Sequence, residues 1–457
     1  MGNKINPLDF CSAATDEIEE AFNTGAITIA VIGTGHIGLL LACNFAQANA
    51  NVIGVDVNQD IVDRINSGKG PFFELESEEL VKNNVARGKL KATKNLSQAL
   101  DEANVVVISV PTPLDEKREP DLMYITQAAK DVGKQLRRGF MVVIASTVYI
   151  GATRNVILPT LERYSGLKVG RDFLLACVPQ RIDPGNRIHR LDNTPLNVGG
   201  IDEKSTEMAA VLFRRIVEAE VKKVSSAEVA ECAKLVENTY RDVNIALVNE
   251  LSIFLRRLGI NVMEVIDACS TKWSFQAHFP GAGVGGPCIP INPHYLLHNA
   301  SSSELKMVRL AREINDGMPD HVVNMIVKGL QELVPKSPIH KPKVAVLGLT
   351  YKKDVEDTRG SPAERVIKEL NYLSFEVAVH DPVLPLSTVK FGCQNLPLEE
   401  AVKDADCLLF LTDHTAFKKP AFNKFEILVH DPCLLVDTKR IFSPSDFSKT
   451  KFHYQSI

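Results

Sequence analysis

Residues 27–38 read ITIAVIGTGHIG, an apolar β-branched run that closes on Gly33 and passes, through Gly35 and Gly38, into an apolar stretch at helical spacing. A strand, a Gly-x-Gly-x-x-Gly turn and a helix in that order form a dinucleotide-binding fingerprint. The first glycine permits a tight turn, the second lets pyrophosphate approach the backbone, and the third lets the helix pack closely on the sheet. The helix N-terminus then presents amides and a partial positive charge to the phosphates. The next run, NVIGVD at 51–56, ends in Asp56, where a carboxylate can accept hydrogen bonds from ribose hydroxyls and repel a 2′-phosphate. This combination favours NAD over NADP. The competing reading is tight strand-to-helix packing with no cofactor.

Outward from that motif, the runs NVVVISV at 104–110 and FMVVIAS at 140–146 continue the alternation a parallel sheet needs. One α/β domain is expected over 25–200, after an N-terminal extension, 1–24. From Ser225 to Leu258 there is no Gly or Pro, and Val229, Cys232, Val236, Tyr240, Val243, Leu247, Leu251, Phe254 and Leu258 recur at steps of three and four. That spacing predicts one long helix, about 50 Å at 1.5 Å per residue, which links domains or pairs with a second subunit. Ser225 with Glu228 resembles a capping box, and Gly259 is placed to end the helix in a left-handed conformation. A helical central domain is expected over 201–334. At Lys343, KVAVLGLTYK repeats the strand-then-glycine grammar, and 375–381, 406–411 and 433–437 supply further candidate strands. The boundary falls in the proline-containing stretch 335–342, so a second α/β domain occupies 335–457. The expected architecture is two Rossmann-like doubly wound domains joined by a helical centre.

With 457 residues, 45% apolar and 24% charged, the composition is that of a multidomain globular protein. A formal net charge of −4 gives no basic excess for nucleic acid. No apolar run is long enough to span a bilayer, and the first residues lack a signal peptide's apolar centre, so a cytoplasmic location is expected. The nine cysteines show no Cys-x-x-Cys pair and read as free thiols. His294 and His298 are four apart, but no third ligand has matching spacing, so no metal site is expected.

Residues 279–295 read FPGAGVGGPCIPINPHY, placing Cys288 after Gly281, Gly283, Gly285 and Gly286. Such a loop lets backbone amides crowd around an anionic or sugar ligand while the thiol stays accessible. A small buried hydrophobe is the bland alternative for this cysteine.

The fingerprint, VPTP at 110–113, STV at 146–148, RIDPGN at 181–186, AKLVENTYRDVNIALVNE at 233–250, VGGPCIPINPHYL at 284–296 and GLTYKKDVEDTRGSP at 348–362 together resemble the ordered motifs of the UDP-glucose and UDP-N-acetylhexosamine 6-dehydrogenases. The DPGN form and the CIP loop are most similar to the branch acting on UDP-N-acetylglucosamine. The resemblance implies two oxidations: the 6-hydroxyl becomes an aldehyde, a cysteine captures it as a thiohemiacetal, and a second hydride loss gives a thioester that water hydrolyses. It places the nucleophile at Cys288, an oxyanion-stabilising lysine at Lys234, its partner at Asn238 one turn on, and a threonine that positions water or substrate at Thr147. It assigns the cofactor to Gly33, Gly35, His36, Ile37, Gly38, Asp56, Thr112 and Thr147. The UDP-sugar falls to Arg181, Lys234, Asn238, Lys272, Phe279, Gly283, Lys353 and Arg359. A homodimer through the long helix is expected.

Three positions depart from the family's pattern, two of them at its acid–base residues. Gln180 stands in Val178-Pro179-Gln180 where a glutamate is usual, and Asn292 precedes Pro293 where an aspartate is usual; Pro287 replaces a histidine. A neutral amide exchanges hydrogen bonds but cannot take a proton. Three readings follow: an active dehydrogenase whose proton transfer uses Asp183 or a water held by Thr147, a catalytically impaired paralogue that binds NAD and UDP-sugar, or, more narrowly, an enzyme that stalls at a covalent thioester on Cys288.

Overall fold

The structure, a computed structural model, describes residues 8–70, 75–182, 186, 188–333, 341–418 and 422–457, with the side chains of 75–77 and 422–423 outside that description. Asp183 and most of the 335–342 boundary stretch lie outside the described residues. The chain forms two compact units, residues 1–237 with 294–299 and residues 238–293 with 300–457.

The first unit is built on eight strands: β1 (Thr28–Ile32), β2 (Asn51–Val55), β3 (Leu90–Thr93), β4 (Val105–Ile108), β5 (Phe140–Ile144), β6 (Phe173–Cys177), β7 (Leu196–Gly200) and β8 (Val221–Lys223). Their order is 3-2-1-4-5-6-7-8, parallel except where β7 meets β6. The first six follow the doubly wound dinucleotide-binding order. Val and Ile dominate β1, β4 and β5 because both sheet faces are covered; every residue of β4 and β5 is buried. A β-branched residue suits the pleat and a doubly buried strand has no solvent face to spare.

The second unit holds β9 (Lys343–Leu347), β10 (Glu376–His380), the short pair β11 (Val389–Lys390) and β12 (Cys393–Gln394), then β13 (Cys407–Phe410), β14 (Cys433–Asp437) and β15 (Phe452–Ser456). Its main sheet is wholly parallel, in the order β10-β9-β13-β14-β15. This is the other common doubly wound order, 2-1-3-4-5. Both sheets therefore reverse direction beside the strand that carries the glycine turn, β1 in one and β9 in the other.

The long helix spans Ala227–Arg257. Its start lies later than the Ser225 capping box anticipates: Ser226 Oγ accepts the Val229 N–H at 3.4 Å, and Glu228 instead pairs with Arg154 at 2.5 Å. Its end is as expected, with Gly259 at φ 74° and Ile260 N–H returning to the Leu255 carbonyl. No described helix is long and apolar enough to cross a membrane.

The 1–24 segment is not peripheral from residue 8 onward. Phe10, Ile18 and Phe22 are fully buried in one face of the first sheet's core, and the Phe22 ring stacks at 6.5 Å on Phe45, which meets Phe213 edge-on at 5.6 Å. Truncating a fully buried aromatic removes its transfer free energy and leaves a cavity. Phe22→Ala is expected to destabilise the first unit by about 3–5 kcal/mol, measured by denaturant unfolding; a change below about 1 kcal/mol would mean that the segment is only laid against the core.

Candidate active site

At the carboxyl edge of the first sheet, Gly33 follows β1 at φ 84°, and a Cβ there would fall 2.4 Å from the Ser109 carbonyl oxygen. A Cβ on Gly38 would fall 1.9 Å from the Gly33 carbonyl oxygen, so the helix His36–Gln47 can sit this close to the strand only with glycine there. Gly35 differs: a Cβ on it meets nothing within 4 Å, and no side chain caps the helix it precedes. Open space before an uncapped helix N-terminus fits a dinucleotide's pyrophosphate.

Asp56 ends β2, and its Oδ2 accepts the Thr34 N–H at 2.9 Å and the Thr34 hydroxyl at 3.0 Å, while Oδ1 accepts the Asn58 N–H at 3.0 Å. The carboxylate thus orders the fingerprint turn from the neighbouring strand. Thr34 is fully buried, and the sequence reading passed over it because it occupies a variable position of the motif.

Three of the expected site residues emerge from the same edge after successive parallel strands. Thr112 follows β4 and donates through Oγ1 to the Thr147 carbonyl at 2.7 Å; Thr147 follows β5, and the adjacent Ser146 hydroxyl ties to both the amide and the carbonyl of Val110. Gln180 follows β6 and is 5% exposed. Its Nε2 donates to the Val178 carbonyl at 2.7 Å, which sets the orientation of the amide and leaves Oε1 as a buried acceptor with no partner among the described residues. Arg181 forms a two-point pair with Glu237 on the long helix and donates to the Pro195 carbonyl at 2.9 Å. Tyr295, unnoticed in sequence, is fully buried and donates to the Thr112 carbonyl at 2.5 Å.

The long helix is polar on its buried side. Glu231, Asn238, Thr239, Asp242, Asn249 and Ser252 are all buried. Lys234, half-buried, lies one turn before Asn238. Within the second unit Asn238 Nδ2 donates to Asn292 Oδ1, and Asn292 N–H closes a turn onto the Cys288 carbonyl at 2.9 Å. The Cys288 thiol is exposed, unlike those of Cys43, Cys177, Cys407 and Cys433. The bland reading of Cys288 as a buried hydrophobe is therefore set aside.

The loop glycines answer first to protein packing. A Cβ on Gly286 would fall 2.7 to 3.0 Å from three atoms of the Tyr351 ring, and the Gly286 N–H donates to the Arg359 carbonyl at 3.0 Å. Gly283, at φ 125°, faces the Asn315 carbonyl. The loop's start is fixed by Gly281 N–H on Asn249 Oδ1, and Asn249 continues to Asn315, which bonds Asp242; Arg312 completes the chain at 2.5 Å from Asp242.

Arg359 is held in a two-point pair by Asp357, which, with weaker help from Tyr351 and Cys288, keeps the guanidinium firmly charged. Lys353 is half-buried on the same 348–362 loop, whereas Lys272 and Phe279 lie exposed on the 271–279 stretch. Asp381 ends β10 as Asp56 ends β2, and its Oδ2 accepts the Leu349 and Thr350 N–H groups. It is wholly buried beside His414. Burial alone would raise its carboxyl, but His414 and the two amides outweigh that and lower it to about 2. His298, one of the two histidines at helical spacing, is engaged by Glu119 at 2.8 Å and by the Tyr149 ring.

Three domain models of the UDP-glucose/GDP-mannose dehydrogenase family match in order: the NAD binding domain at residues 27–217, the central domain at 228–317 and the UDP binding domain at 345–444. A UDP-N-acetyl-D-glucosamine 6-dehydrogenase of Pseudomonas aeruginosa is 38% identical over 358 residues, 78% of this chain and 83% of that protein. A UDP-N-acetyl-D-mannosamine dehydrogenase of Pyrococcus horikoshii is 37% identical over 392 residues, 85% of this chain and 90% of its own length. The solved UDP-D-ManNAc dehydrogenase from the same organism matches with a TM-score of 0.87 at 33% identity, covering 94% of this chain and 99% of that one. With the fingerprint, the cysteine loop and all three domains in the family's order, the chain belongs to the UDP-glucose/GDP-mannose dehydrogenase family and is an NAD-dependent nucleotide-sugar dehydrogenase.

Proposed function

We propose that the protein oxidises the 6-hydroxyl of UDP-N-acetylglucosamine to the uronate through a thioester on Cys288. The observation that carries this reading is the exposed Cys288 thiol on a loop joined, through Asn292, to Asn238 on the helix that also bears Lys234. The chain returns to the first unit at His294, six residues after Cys288. The N-acetylglucosamine assignment rests on the DPGN and CIP forms and on the Pseudomonas relative's name; the mannosamine epimer is the runner-up because other relatives act on it by name. These relatives are themselves named dehydrogenases, which favours turnover over the binding-only reading.

The fingerprint, Asp56, Thr112 and Thr147 would hold NAD, which when bound would supply the hydride acceptor for both oxidations. After the first, the Cys288 sulfur adds to the aldehyde carbon and its proton ends on the aldehyde oxygen, giving a thiohemiacetal. Loss of hydride from that carbon and of the hydroxyl proton to solvent leaves the thioester, and water then releases the carboxylate and the free thiol. A covalent link divides one difficult oxidation into easier steps and keeps the aldehyde from leaving. The Lys234 ammonium offsets negative charge on the oxygen of each tetrahedral species. Gln180 and Asn292 orient hydroxyl and water without taking the proton. Lys353 and the pinned fork of Arg359 contact the UDP phosphates.

The helix's outer side supports a homodimer. Val236, Tyr240, Leu247, Phe254 and Leu258, all in the stripe recognised in sequence, are 47–55% exposed. Beside them Leu251, Phe254, Ile314 and Met318 line an open cleft of about 670 Å3. A contiguous apolar face of this length on a single chain is characteristic of an interface, and a helix with its own copy covers it symmetrically.

With UDP-N-acetylglucosamine and NAD, NADH should form continuously, and Cys288→Ser should lower turnover by about 10³-fold or more while UDP-sugar binding, measured by calorimetry, persists. Wild-type turnover in the serine variant would overturn the covalent route; oxidation of UDP-N-acetylmannosamine in preference would overturn only the sugar assignment. Sedimentation of the wild type should report a dimer at micromolar concentration, and Leu247→Glu with Phe254→Glu should shift it to monomer. A monomeric wild type would remove the interface.

A further inference from the structure

We propose that Glu231 is a positioning residue that fixes the Thr147 turn against the helix face carrying Lys234. The proposal rests on the reading that Thr147 and Lys234 serve the oxidation. Glu231 lies in the first unit and is 1% exposed. Its Oε2 accepts the Gly151 N–H at 2.6 Å and its Oε1 accepts the Thr153 N–H at 2.9 Å. These two amides stand at the start of the helix at 153–165, whose first turn is wound as a π-helix and which has no side-chain cap of its own.

The arrangement is an unusual way to cap a helix. A Ser, Asp or Asn just before the first turn would satisfy the same amides locally. Here the acceptor comes from another helix, 78 and 80 residues away in sequence, and it is a carboxylate whose burial holds its carboxyl above the usual range. A local cap would leave the 146–153 turn free to shift with its own helix. A cap borrowed from the long helix registers that turn to the long helix, at a residue three before Lys234 and therefore on the same face. Charge-assisted bonds in a dry site are short and directional, and two of them define an orientation as well as a distance. The turn's other ties are consistent with a frame built around position 147: Thr112 holds the Thr147 carbonyl, and Asn299 donates to the Ile150 carbonyl at 3.2 Å. The neighbouring Arg154–Glu228 pair links the same two helices one turn earlier on the long helix.

Glu231→Gln preserves size and keeps one acceptor, while turning an NH2 toward the second backbone N–H. In the full-length enzyme, kcat should fall by about tenfold or more, since displacement of a positioned group by about 1 Å can lower a rate a hundredfold, with KM for the UDP-sugar, whose phosphates fall to Lys353 and Arg359, within about twofold of wild type. The penalty of Thr147→Ala, measured in the wild type, should shrink to about twofold or less in the Glu231→Gln background, because coupled residues do not add. Hydrogen exchange, which needs no turnover, should speed up in the peptide covering 146–153 and stay unchanged at 28–32. Independent, multiplying kinetic effects of the two substitutions, or unchanged exchange at 146–153, would overturn the proposal. A wild type without UDP-sugar oxidation but with faster exchange at 146–153 in the variant would instead sink the proposed function and leave Glu231 as a tether.

Discussion

A helix of 31 residues that turns its polar side inward imposes the strongest constraint on this protein. Glu231, Asn238, Asp242 and Asn249 are each 8% exposed or less. A polar group removed from water without a partner is costly, and a charge more so. Each must therefore find a fixed partner, and the partners lie on the turn after β5, the cysteine loop and the helix Lys306–Leu333. Glu231 takes the turn after β5, Asn238 takes Asn292 beside Cys288, Asn249 takes the first glycine of the cysteine loop, and Asp242 takes Asn315 and Arg312. The helix orders the segments it touches in each unit because its buried polar groups cannot be left unsatisfied, and the apolar face left outside is the one a second copy is proposed to cover.

The two sheets use one device for different ends. In each, a carboxylate at the tip of the second strand holds the amides that follow the glycine of the first. Asp56 is half-buried. Asp381 is enclosed, with His414 across it and the backbone on its inner oxygen. The second sheet thus keeps the carboxylate-held turn while its carboxylate is removed from solvent. This separation is consistent with the NAD and UDP binding domains that the family models assign.

The central strands and the fingerprint were legible because their signals are local, β-branched runs, a glycine spacing and an acid at the next strand's end, whereas strands without such a run, among them β3, β7, β8 and β15, were not. Periodicity also disclosed the long helix and its apolar stripe, but not that this stripe faces outward, since spacing is the same whichever side is buried. The polar partners were illegible for the same reason that they matter. Asn249 with Asn315 and Glu231 with Gly151 are 66 and 80 residues apart, and no short motif marks such pairs. Tyr351 explains Gly286 only once the 348–362 loop is placed against it. The partner of Arg181, Glu237, three residues after Lys234 on the long helix, was likewise invisible in sequence at a separation of 56 residues. Residues 8–24 looked like an extension because Phe10, Ile18 and Phe22 show their burial only in three dimensions.

The central claim is that one exposed sulfur on this scaffold carries an aldehyde through to an acid without releasing it. Counting NADH against uronate over many turnovers with UDP-N-acetylglucosamine tests it most directly. The account predicts two NADH for each uronate and no free aldehyde trapped by added amine; one NADH for each molecule of sugar with the aldehyde recovered in solution would contradict it.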